Sequence, residues 1–137
     1  MVEIINQQNS HQLRTGHFRW LLIKLLSFYG LGHGVVTLVF TTKASILRLN
    51  RRFRHKDRPT DVLSFPLGEK GTDGRFYVGD IVICVSQAYV GAGRNKANLE
   101  AELERLIIHG FLHLLGFNHG SEMKREEERL RFYLKLK

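Results

Sequence analysis

Apolar residues recur along this 137-residue chain with two alternating periods, one close to two and one close to 3.6. Val2 to Asn6 reads as a short strand. From about Ser10 to Tyr29, Phe18, Leu21, Leu22, Leu25 and Tyr29 recur at helical spacing, which predicts a helix with one stripe turned to the core. Gly30, Gly32 and Gly34 end it, and His33 among them reads as a loop residue. Val35 to Phe40 is rich in β-branched residues and predicts a strand. Lys43 to Arg52 reads as a helix with Ile46, Leu49 and Phe53 on one side, and Pro59 breaks the pattern. A strand is expected over Asp61 to Phe65, closed by Pro66. Leu67 to Arg75 mixes Gly68, Gly71 and Gly74 with charges and predicts an exposed, mobile loop. Phe76 to Val85 reads as a further strand, with an apolar run from Ile81.

The remainder is helical. Ser86 is the expected cap of a helix running toward Asn95, and Asn98 that of the next, with Glu100 and Glu102 in its first turn. Leu99, Leu103, Leu106, Ile107, Gly110 and Leu114 trace the core face of this second helix. Between Leu106 and Leu115 it is apolar nearly all round, so it belongs at the centre of the fold. Glu122 to Lys137 reads as a closing amphipathic helix, with Glu126, Glu127 and Glu128 on a solvated face. The order predicts one α+β domain over residues 1–137: a small mixed β-sheet packed against helices, around a central buried helix.

The polar exceptions on that helix carry the chemistry. His109 and His113 stand four apart and share one helical face; His119 follows ten residues after His109, and Gly116 lies between. Gly116 suits the left-handed turn that ends a helix and brings the chain back, so His119 is offered as a third ligand. Three neutral imidazoles on zinc leave one position open for water, the pattern of a catalytic site. The spacing is that of the long zinc-protease motif, which gives the helix a zincin-like character. That motif has a glutamate after its first histidine as general base, and here the position is Gly110. A peptidase built on this helix lacks its base.

Composition narrows the setting. An apolar content of 43% supports a folded core. The one cysteine, Cys84, excludes an intrachain disulfide, fits a reducing compartment and reads as a buried small hydrophobe. The first residues lack the basic start and apolar core of a secretion signal, and Phe18 to Leu31 is too short and too charged to span a bilayer. A soluble, cytoplasmic protein with no membrane or disulfide-linked partner is expected. Net charge is +8. Much of it is concentrated in residues 43–58, where Lys43, Arg48, Arg51, Arg52, Arg54, Lys56 and Arg58 face Asp57 alone. Such a run is the footprint of a nucleic-acid binder or, equally, a solvated face.

Three blocks together resemble the YbeY family of metal-dependent endoribonucleases. They are residues 109–119, the stretch from Leu49 through Arg54 and Pro59-Thr60-Asp61-Val62-Leu63-Ser64-Phe65 to Pro66, and Gly79-Asp80-Ile81-Val82-Ile83. The resemblance implies a single-strand-directed endoribonuclease acting in small-subunit rRNA maturation and ribosome quality control, with ribosomal RNA and ribosomal or ribosome-associated proteins as partners. It implies one divalent ion on His109, His113 and His119; nitrogen-only ligation suits Zn2+, with Ni2+ an alternative. Arg54 matches the arginine of the second block and is the candidate catalytic residue for gripping the scissile phosphate, since a guanidinium pairs two phosphate oxygens at once. Arg51, Arg52, Lys56 and Arg58 are the expected RNA-backbone contacts. Asp61, Ser64 and Asp80 also match; both acids are equally suited to capping turns or pairing with cations. Asn118 stands where the family usually has aspartate, and it cannot carry a proton at neutral pH. Two other readings stay open: a non-catalytic rRNA-binding assembly factor with a structural metal, and a metallopeptidase, which Gly110 disfavours.

Overall fold

In the computed structural model, which describes residues 1–136, the chain runs β1 (Val2–Asn6), α1 (Thr15–Phe28), β2 (Gly34–Thr41), α2 (Lys43–Arg54), β3 (Val62–Lys70), β4 (Phe76–Cys84), α3 (Val85–Gly91), α4 (Lys96–Leu114) and α5 (Ser121–Tyr133). The strands form one mixed sheet in the order β1-β2-β4-β3. β1, β2 and β4 run parallel, and β3 returns antiparallel along β4 as an edge. This is the α+β arrangement that the sequence order predicts.

Alternation along the strands sorts the core into two layers. Val36, Leu38 and Phe40 of β2, with Ile81 and Ile83 of β4, join the larger cluster with α1 and α4. Val39, Val82 and Cys84 point the other way, toward Ile46 and Leu49 of α2. A strand buried on both faces has no polar side to show, which is why β4 reads as an apolar run from Ile81. On α4, Leu103, Ile107, Phe111 and Leu112 are fully buried, so the central helix is where its all-round apolarity puts it.

Boundaries differ from expectation where polar side chains decide them. α1 starts at Thr15 and not near Ser10, because Gln8 accepts from the His11 backbone and donates to its carbonyl, holding residues 8–11 in a loop. β3 does not stop at Pro66. It continues to Lys70, with Pro66 opposite Gly79 and Lys70 opposite Phe76. Proline is tolerated there because β3 is an edge strand and its missing N–H leaves no ladder gap inside the sheet. The expected mobile loop therefore shrinks to the hairpin turn between β3 and β4, where Gly71 N–H donates to Arg75 O. Ser86 is no cap: α3 starts at Val85, ends at Gly91 and has Cys84 at its N-cap. Asn95, not Asn98, caps α4, its side chain accepting from Ala97 N–H at 2.9 Å. Glu100 and Glu102 consequently lie beyond the first turn and pair with Arg14 and Arg105. α5 begins at Ser121 and ends at Tyr133; Lys137, the expected end of that helix, lies outside the described residues. Cys84 is fully buried, as expected of a small hydrophobe. Among the described residues, no helix is long and apolar enough to cross a membrane.

Candidate metal centre and its cleft

α4 ends on a double backbone bond. Phe117 N–H donates to Leu112 O at 3.0 Å and Gly116 N–H to His113 O at 3.0 Å, with Gly116 at φ +94. This is the glycine-terminated turn the sequence predicts. It reverses the chain and delivers His119 beside the helix. The nitrogens that His109, His113 and His119 offer lie within 4.8 Å of one another. His109 Nε2 and His113 Nε2 are 3.1 Å apart, and the three ring centroids stand 4.7, 5.1 and 4.7 Å from each other. Two nitrogens on one tetrahedral zinc stand about 3.3 Å apart, given bonds of ~2.0–2.1 Å. The donor set and its spacing therefore fit a divalent ion bound by three imidazoles. His109 and His113 are half-buried and His119 is exposed. Burial lowers the His113 pKa first, and the neighbouring charges of His109 and His119 lower it further, so the neutral, ligating form is favoured near pH 7.

Gly110 has a packing cause. A Cβ there would stand 2.9 Å from Ile81 Cγ2 and 3.1 Å from Ser64 Oγ. Ser64 Oγ donates to Gly110 O at 3.0 Å in the buried contact between β3 and α4. The position that carries the base in a zinc protease is here the point where the helix lies on the sheet. Any side chain there, glutamate included, forces Ile81 or Ser64 to shift.

One carboxylate escaped the sequence reading. Glu127 of α5, expected on a solvated face, has Oε1 2.9 Å from His109 Nδ1, and both side chains are mostly buried. The bond takes Nδ1 and leaves Nε2 facing the other imidazoles, which fixes the tautomer that a ligand needs. Its position held a signal: Glu127 sits four residues after Met123 and three before Leu130, the buried positions of α5, so it flanks the inward stripe. Glu126 is likewise engaged, accepting from Tyr29 Oη and pairing with Arg129.

Beside the histidines opens a cleft of about 670 Å³ whose walls include Arg54, Lys56, Arg58, Asp61 and Ser64 as well as His109, His113 and His119. Its floor is the free edge of β3. Arg54, the last residue of α2, donates from Nη2 to Ser64 O at 3.0 Å. Ser64 thus holds the arginine through its carbonyl and α4 through its hydroxyl. Asn50, buried in α2, donates from Nδ2 to Arg58 O at 2.7 Å, and its own carbonyl accepts from Lys56 N–H. It clamps the turn that presents Lys56 and Arg58, a role that residue type alone did not reveal. Arg51 and Arg52 do not line the cleft. Arg51 pairs with Asp57 on the surface, and the Arg52 guanidinium lies over the Phe53 ring. Asp80 lies elsewhere, beside Thr37 on the opposite face of the sheet, where burial raises its pKa. Asn118 is exposed next to His119.

The comparisons with known proteins agree with this geometry. The family model described as Endoribonuclease YbeY matches residues 3–133. Endoribonuclease YbeY of Aquifex aeolicus is 42% identical over 106 residues, covering 75% of this chain and 70% of that one. The Oceanobacillus iheyensis protein of the same name is 40% identical over 125 residues, 82% and 79% of the two chains. That of Geobacter metallireducens is 33% identical over 131 residues, 94% and 87% of the two chains. A Thermotoga maritima protein solved in solution superposes with a TM-score of 0.62 at 29% identity, over 95% of this chain and 86% of its own. With the motif's three histidines converging and the family pattern spanning nearly the whole sequence, the chain belongs to the endoribonuclease YbeY family.

Proposed function

We propose that this protein is a metal-dependent endoribonuclease that cuts single-stranded RNA, and that it acts in the cytoplasm on ribosomal RNA during small-subunit maturation and quality control. The observation that carries the reading is the meeting of the three histidines with Arg54, Lys56 and Arg58 on one cleft. Its relatives are named for this activity. His109, His113 and His119 are the ligands, with Zn2+ the fitting ion and Ni2+ the alternative. A divalent ion held there by neutral ligands would keep its full charge and could supply Lewis-acid chemistry toward a phosphoryl oxygen or a water. Arg54 grips the scissile phosphate with the guanidinium nitrogens that Ser64 leaves free. Lys56 and Arg58 hold the neighbouring phosphates, while Arg51 and Arg52 add charge from the surface outside the cleft. A peptidase reading finds no support, because Gly110 is packed against Ser64 and Ile81.

The test is cleavage of a structured rRNA fragment by purified protein. Activity should vanish with chelator and return with added zinc or nickel. Chelator-resistant cleavage would remove the metal from the mechanism; binding without cleavage under all metals would favour an assembly factor.

Glu127→Gln should weaken metal binding about 10- to 100-fold in competition with a chromogenic chelator, since it removes the carboxylate that orients His109. The metal-free protein should melt close to wild type, and cleavage should recover with excess metal. Unchanged metal affinity would reduce the Glu127–His109 bond to a helix-packing contact.

A further inference from the structure

Phe53 is 51% exposed at the end of α2, between two arginines. Its ring is not loose. Phe65 of β3 meets it edge-to-face, with centroids 5.3 Å apart at 73°, and the Arg52 guanidinium stands 5.3 Å from its centroid. Phe65 lies in the chain between Ser64 and Pro66, both of which line the cleft. The Phe53–Phe65 contact is therefore the immediate neighbour, on both elements, of the Arg54–Ser64 hydrogen bond. Helix and edge strand carry, side by side, an anchored guanidinium and a braced aromatic ring with an open side.

We propose that Phe53, braced by Phe65, is a base-stacking subsite: it takes a nucleobase of single-stranded RNA adjoining the phosphate held by Arg54. The inference rests on the RNA reading above. An aromatic ring flanked by cations matches the chemistry of single-stranded nucleic acid, whose bases offer bare π-faces and whose backbone is anionic. In a duplex those faces are covered by the stack, so the subsite selects unpaired strands without reading sequence. A protein partner is the other possible occupant of such an apolar spot, but the flanking charges of Arg51, Arg52 and Arg54 favour a polyanion.

The discriminating measurement compares two ligands on metal-loaded protein: a short oligoadenylate, and an abasic ribose-phosphate oligomer of the same length and charge, each checked intact on a gel after titration. Phe53→Leu should weaken oligoadenylate binding about 5- to 100-fold and leave the abasic oligomer unchanged. Phe53→Trp should bind oligoadenylate as well as wild type or better, which keeps the test decisive even where the leucine variant melts early. Equal losses for both oligomers would overturn the proposal and make Phe53 a scaffold for Arg54. No loss for either would overturn it as well and leave the surface to a protein. Should the wild-type protein bind neither oligomer, the RNA reading itself fails and the subsite falls with it.

Discussion

His113→Ala is expected to abolish RNA cleavage while most of the RNA affinity survives. The residue is central to the cluster: its Nε2 is 3.1 Å from that of His109, and its ring centroid lies 4.7 Å from that of His119. Two imidazoles, one of them on the exposed segment after α4, would remain for the ion. Losing a direct ligand should cost more metal affinity than the 10- to 100-fold typical of an orienting partner. The cations of the cleft belong to α2 and the turn before β3, so the alanine leaves them in place. Turnover and equilibrium binding should be measured on the same preparation. A variant that cleaves at the wild-type rate would mean that the nuclease is a contaminant or that the ion has no part in the reaction.

Arg54→Lys should lower turnover by about 10- to 100-fold and change RNA affinity little, because lysine keeps the charge but loses the planar fork. Ser64 O already occupies Nη2, so the remaining nitrogens are oriented before RNA arrives. A lysine at that place cannot hold the carbonyl and span two phosphate oxygens together. The comparison is Arg52→Lys, outside the cleft, at two salt concentrations. Truncating Arg52 altogether should reduce the salt slope by about one counterion or less, whereas Arg52→Lys should leave turnover unchanged. If Arg54→Lys and Arg52→Lys lose only affinity, and by similar amounts, Arg54 is one more backbone contact.

The histidine cluster was legible because its grammar is local. Four residues of helix and one left-handed glycine fix where three imidazoles go, whatever the rest of the chain does. The central helix was legible from its all-round apolarity. What the sequence hid were contacts between distant elements. Glu127 becomes an orienting residue only because α5 folds back on α4, and a run of three glutamates looks solvated until that packing is known. Arg51, Arg52, Lys56 and Arg58 look alike in a basic run, yet the clamp made by Asn50 turns only the last two into the cleft. The boundaries of β3 and α4 differ from expectation for separate reasons. Pro66 ends a strand only inside a sheet, and β3 is an edge; Asn98 has the residue type of a cap, but Asn95 three residues earlier takes that place and leaves Asn98 in the first turn.

The floor of the cleft is the outer, unpaired edge of β3, and an unpaired edge is a template for another copy of the chain. Several features keep β3 from serving as one. Pro66 offers no donor, Glu69 and Lys70 carry charge at its far end, and the Ser64 carbonyl is occupied by Arg54. Lys56 and Arg58 surround the same edge with like charge, which repels a second copy as it attracts a polyanion. Under the proposed RNA reading, recognition and colloidal stability rest on the same cations. Neutralising them exposes a sticky edge along with an empty cleft, so the solubility of such variants belongs beside their RNA affinity in any comparison.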